Sequence, residues 1–88
     1  MRLDKFLKVT QLIKRRAVAK EAADEDIIRI NGRTAKPAVQ LKADDIIEID
    51  MWNCYKKIRV LQLPETNSIP KAKVSEFIEI LEYKSKPL

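Results

Sequence analysis

Apolar and polar positions recur along this chain with two different periods, and the change from one to the other separates a helical opening from a strand-rich remainder. In RLDKFLKV, residues 2–9, spacing positions about 100° apart puts Leu3, Phe6 and Leu7 on one arc and Asp4, Lys5 and Lys8 on another. That pattern predicts a short amphipathic helix. After a break around residues 11–14, RRAVAKEAAD places Val18 and Ala22 on one i, i+4 stripe and Arg16 and Lys20 on a different one. A second helix is predicted, its basic stripe turned away from its apolar one. Ala17, Ala19, Ala22 and Ala23 favour helix and let a neighbour approach closely, so two packed helices are expected.

Beyond Asp24-Glu25-Asp26 the period shortens. IIRI runs into Asn31-Gly32, then RTAK and Pro37, which reads as a strand entering a tight turn. Gly32 is the only glycine, so its position is expected to require positive φ. Asp44-Asp45 leads into IIEID, and after Met51 to Cys54 comes YKKIRVLQL, with Tyr55, Ile58, Val60 and Leu63 apolar; the two runs predict an antiparallel hairpin. PETNSIPK reads as a loop. VSEFIEILEYK fits a helix through Phe77, Ile78 and Leu81 or a strand through Ile78, Ile80 and Glu82. A short helical turn followed by a final strand is the expectation. The chain has no internal repeat and no low-complexity segment.

Eighty-eight residues suffice for one domain with one modest core. With 45% apolar and 35% charged residues, the composition is that of a globular protein rather than a disordered or fibrous one. A single cysteine, Cys54, excludes an internal disulfide, and the absence of histidine removes imidazole ligands and bases. A reduced, cytoplasmic setting is expected. MRLDKFLK lacks the uninterrupted apolar core of a signal peptide, and no window approaches the roughly 18 apolar residues of a membrane span. The expectation is a protein neither exported nor embedded in a membrane.

Charge changes the picture most. The net charge is +5, and it is unevenly placed. Residues 1–20 hold seven bases, Arg2, Lys5, Lys8, Lys14, Arg15, Arg16 and Lys20, against the single acid Asp4; residues 21–88 hold eleven bases and twelve acids. Clustered like charges repel, and cations at a helix start oppose the macrodipole. A local rule broken at a cost is expected where function demands it, and a phosphate backbone would supply the missing anions. Arg16 and Lys20 stand one turn apart and Lys5 and Lys8 three residues apart, so two packed helices could present a continuous cationic surface. A charge run is often only a solvated face, but confinement of the surplus to one segment argues for a ligand.

The other candidates read as structure. Trp52, Tyr55, Phe6 and Phe77 are assigned to core or hairpin-tip packing rather than base stacking, Asn31-Gly32 to a turn, and Cys54 to an inert loop thiol. No nucleophile stands beside a base and no glycine-rich loop could cradle a phosphate, so neither an enzyme nor a cofactor is expected.

The run RLDKFLKVTQLIKRRAVAKEAADEDIIRINGRTAKP, continuing into LKADDIIEI, resembles the RNA-binding domain family named after ribosomal protein S4. Its members open with an Arg-Leu-Asp helix, follow with a basic helix and close on a strand ending in Asn-Gly. The resemblance covers roughly residues 1–50. Within it, MRLDKFLK and IKRR are most similar to a free-standing bacterial branch of ribosome-associated quality control, related to a small ribosome-binding heat-shock protein. The resemblance implies an α/β (α+β) fold with an αL RNA-binding motif: two N-terminal helices packed on a small, mainly antiparallel sheet.

It also implies partners. These are large-subunit rRNA and peptidyl-tRNA, contacted without catalysis by a monomer, with support of alanine tailing alongside the tRNA-recruiting partner RqcH. The alternatives are a heat-shock-type factor recycling large subunits that carry nascent chain, and a basic module binding an acidic protein. Carried over by residue, Arg2, Lys8, Arg16 and Lys20 fall on RNA-facing positions, and Lys14, Arg15 and Lys36 flank them; Asp4 caps the first helix or holds a nearby arginine. Asp26 stands where relatives often carry glycine, and KADD replaces the commoner Lys-Pro-Gly-Asp, which bears on stability more than on binding. Residues 1–63 are expected to form the RNA-binding domain and 64–88 an extension packed on it.

Overall fold

The computed structural model describes residues 1–13, 25, 27–51 and 54–86. Helix α1, Leu3–Val9, turns Leu3, Phe6 and Leu7 inward, all three fully buried, as the 3.6-residue period requires. Its end is sharp. Gln11 takes a left-handed φ of 63°, and the Thr10 hydroxyl donates to the Phe6 carbonyl at 2.7 Å, so the terminal carbonyls are satisfied without a further turn of helix. The expected second helix falls on residues outside those described.

Among the described residues five strands follow: β1 (Ile28–Ile30), β2 (Arg33–Thr34), β3 (Ile46–Asp50), β4 (Cys54–Val60) and β5 (Ile78–Ser85). They form one sheet in the order β2-β1-β3-β4-β5, antiparallel throughout. The turn from β1 to β2 is Asn31-Gly32, with φ of 53° and 83°, the pair of left-handed residues that a two-residue hairpin needs. An added Cβ on Gly32 would meet nothing within 4 Å, so glycine serves there for its backbone freedom alone.

Alternation decides which face is core. Ile47, Ile49, Ile58 and Val60 point to one side and join Leu3, Phe6, Leu7, Ile13, Ile28, Leu41 and Ile78 in a single cluster. Each such side chain contributes on the order of 1.5–3 kcal/mol through removal from water. The register between β3 and β4 pairs Ile47 with Ile58 and Glu48 with Lys57, so apolar meets apolar on the inner face and opposite charges meet on the outer one.

The tail has the form expected of it. A 3-10 turn at Lys71–Glu76 leads into β5, which adds to β4 with a register shift at Lys57/Ile58. Phe6 and Phe77 serve the core, as expected. Cys54 corrects the sequence reading. It is the first residue of β4 and buried, not a loop thiol, because the strand begins one residue earlier than the apolar pattern from Tyr55 suggests.

Candidate nucleic-acid interface

The first turn of α1 is built on a distant segment. The Leu3 N–H donates to the Val39 carbonyl at 2.9 Å and the Asp4 N–H to the Pro37 carbonyl at 3.2 Å, while the Leu41 N–H returns to the Met1 carbonyl at 2.9 Å. Helix starts leave such donors without partners, so residues 37–41 act as a backbone cap in place of a side-chain one. The consequence is spatial: exposed Lys36 stands next to the residue that caps α1, and so at the same end of the helix as Arg2.

Arg2 is held in place. Its Nε donates to Asp4 Oδ1 at 3.2 Å and its Nη2 to Oδ2 at 3.1 Å, a two-point pair in which Asp4 is 2% exposed and Arg2 44%. Asp4 Oδ1 also accepts the Lys5 N–H at 2.8 Å. Asp4 therefore takes the second of its two expected roles, gripping an arginine, and satisfies one N–H inside the first turn, while the cap itself is the backbone of residues 37–41. Held along one edge, the guanidinium keeps its other donors for a second anion, in a fixed orientation that saves rotamer entropy on binding.

One turn on, half-buried Lys5 and exposed Lys8 line a cleft of about 250 Å³ together with Val9 and Asn67. Two cations three apart on a helix repel by a few tenths of a kcal/mol, and an anion seated between them reverses that cost. Of the eight basic residues expected at the interface, Lys5 and Lys8 lie together on α1, Arg2 just before it and Lys36 just before the segment that caps it, while Lys14, Arg15, Arg16 and Lys20 lie outside the described residues.

Two residues, one lining the cleft and one fixing the loop that forms its wall, carried no signal in the sequence. Asn67 comes from the loop before the 3-10 turn, and Gln11 ties that loop down, its Nε2 donating to the Ile69 carbonyl at 3.4 Å. No local pattern could have paired them with α1, because the contact spans most of the chain.

The outer face of the sheet is different in kind. Tyr55 donates its phenolic proton to Glu48 Oε2 at 2.6 Å, Arg59 pairs with Glu79 at 3.1 Å and Lys84 with Glu82 at 2.9 Å, so cations there meet acids of the chain itself. The hydrogen bond to Glu48, followed by burial, pushes the Tyr55 phenol up from 10.0 to about 12. Among the described residues no group of Cys, Asp and Glu is arranged to hold a metal, and no helix is long and apolar enough to cross a membrane.

The chain matches the S4 domain over residues 1–47, the stretch that holds α1, its cap and most of the surplus charge. It is 47% identical over 66 residues to the RQC P-site tRNA stabilizing factor of Streptococcus pneumoniae, covering 75% of each chain. The factor of the same name from Bacillus subtilis is 46% identical over 66 residues, 75% of this chain and 77% of the relative. Among solved structures, a trimeric heat shock protein 15 of Vibrio cholerae superposes with a TM-score of 0.81 at 20% identity, over 91% of this chain and 80% of that one. A solution structure of the hypothetical protein HP1423 gives 0.80 at 29%, over 93% and 98%. The chain belongs to the S4-domain family and, within it, to the RQC P-site tRNA stabilizing factors.

Proposed function

We propose that this protein is a non-catalytic RNA-binding factor of ribosome-associated quality control, seated on obstructed large ribosomal subunits where it holds peptidyl-tRNA against rRNA. The cations of residues 1–20, with Lys36, grip phosphates; residues 64–88 act as an extension of the same domain. Holding the tRNA in place supports alanine tailing of the stalled chain while RqcH delivers the next tRNA. The factor works as a cytoplasmic, ribosome-associated monomer. It contributes position rather than chemistry, so no nucleophile or cofactor is needed.

The observation that carries this reading is the coincidence of the charge surplus with the S4 domain match, in a chain whose relatives are named for stabilising P-site tRNA. Phosphate contacts fix register without reading bases, which suits a ligand recognised by shape.

The test is a tailing assay in cells lacking the protein, complemented with the parent or with a Lys5→Ala/Lys8→Ala variant. Loss of alanine tails without the protein, restored by the parent and not by the variant, supports the proposal. Tails that persist without it contradict the proposed role and favour recycling of subunits that carry nascent chain. Comigration with large subunits that survives nuclease digestion of the RNA would instead indicate an acidic protein partner.

A further inference from the structure

The cleft beside α1 contains more than the phosphate reading requires. Two lysines suffice to hold a phosphate, yet the third polar wall is an asparagine brought from residue 67. The loop that carries it is fixed rather than loose. Pro64 and Ile69 are buried, the Thr66 hydroxyl donates to the Ser68 carbonyl at 2.7 Å across Asn67, and Gln11 at the end of α1 holds the Ile69 carbonyl. These contacts leave Asn67 exposed at the tip, facing the same cleft as Lys5 and Lys8.

A neutral amide adds little to the hold on a phosphate already flanked by two ammonium groups. What it adds is an acceptor. Lysine offers donors only, whereas Asn Oδ1 can take a proton from a hydroxyl. At about 250 Å³ the cleft has room for a phosphate and the sugar attached to it. Val9, 5% exposed, supplies an apolar wall against which the ribose ring can lie.

We infer that this cleft takes one ribose-phosphate unit of RNA, with Lys5 and Lys8 on the phosphate and Asn67 accepting from the adjacent 2′-hydroxyl. Asn67 is thereby a determinant of RNA over DNA supplied by the C-terminal part of the chain. The inference rests on the phosphate-binding reading of α1 and adds to it the feature that phosphate contacts lack, sensitivity to the sugar.

The experiment compares an RNA stem-loop with the same stem-loop carrying 2′-fluoro sugars, which keep the A-form shape and the charge but cannot donate. Both are titrated against the full chain, Asn67→Ala, and Lys5→Ala/Lys8→Ala, with thermal unfolding of each to confirm the fold. The parent is expected to bind the fluoro probe about three- to tenfold more weakly, the worth of one hydrogen bond. Asn67→Ala is expected to bind the two probes equally, and the lysine variant to bind both more weakly.

If Asn67→Ala keeps the parent's preference for the hydroxyl, or if the parent has none, the inference about Asn67 is overturned while the phosphate reading stands. If the lysine variant binds both probes as tightly as the parent, the phosphate reading and the inference that rests on it both fail.

Discussion

Arg2 and Asp4 form a two-point ion pair in which the acid is 2% exposed and the base 44%. The asymmetry matters because a buried carboxylate that loses its partner stays desolvated, whereas an arginine so exposed regains water. Asp4→Ala is expected to lower stability by about 1–3 kcal/mol, since it also strands the Lys5 N–H. A double-mutant cycle on Arg2 and Asp4 should give a coupling of about 1–2 kcal/mol, against about 0–1 for Arg59 and Glu79, both nearly half exposed. Urea unfolding of the two cycles checks this, and equal couplings would contradict it.

A second clasp joins two turns. Asn31 Nδ2 donates to Asp45 Oδ1 at 3.1 Å, the Ile46 N–H donates back to Asn31 Oδ1 at 2.9 Å, and the Lys42 N–H donates to Asp45 Oδ2 at 3.0 Å. Asp45 is 4% exposed, so its oxygens depend on these partners. Asn31→Ala is expected to cost about 1–3 kcal/mol, chiefly because buried Asp45 loses one of its donors. Asn31→Asp, which sets a second carboxylate against Asp45, should be at least as damaging. A melting temperature unchanged in both variants would count against the clasp.

Asp44 adopts a φ of 73°, the left-handed region that a glycine enters without strain. Its N–H donates to the Val60 carbonyl at 2.7 Å, which holds the turn to the end of β4. Asp44→Gly is expected to raise stability by about 0.5–1 kcal/mol, while Asp44→Val, β-branched and intolerant of positive φ, lowers it. The urea midpoint should move in opposite directions in the two variants at unchanged slope. A midpoint that falls in the glycine variant would mean that the aspartate side chain contributes more than its backbone costs.

How far the fold was legible follows from what each signal depends on. Strands β1, β3 and β4 and the Asn31-Gly32 turn could be read because alternation and turn chemistry are local, and even the ambiguous tail resolved into the helical turn and strand that its spacing allowed. The expected αL pair of helices could be compared with the structure only at α1. Cys54 was misplaced because one residue at a strand end shifts a side chain from loop to core. At the interface, the gathering of Arg2 and Lys36 depends on the backbone cap from residues 37–41, and the cleft depends on Asn67. Both are contacts between distant parts of the chain, which no residue pattern encodes.

The phenol of Tyr55 gives a pH signature. Its folded pKa is raised to about 12, so the proton is held more tightly folded than unfolded, and the stability gained from the bond to Glu48 is fully present below pH 10 and lost as pH rises through 12. The stability difference between parent and Tyr55→Phe should therefore shrink between pH 9 and pH 12. In Tyr83→Phe, which leaves Tyr55 the only tyrosine of two, tyrosinate absorbance should reach its midpoint near pH 12. A midpoint near pH 10 would contradict the bond.

The most direct measurement is the affinity for isolated large ribosomal subunits as a function of salt. Arg2, Lys5, Lys8 and Lys36, with the basic run that follows α1, are expected to displace counterions from about six phosphates, giving a slope of about −4 to −5 in log affinity against log salt. In Lys5→Ala/Lys8→Ala the slope should flatten by about 1.4–1.8. Binding indifferent to salt, or a slope unchanged in the variant, would mean that these cations do not meet phosphate.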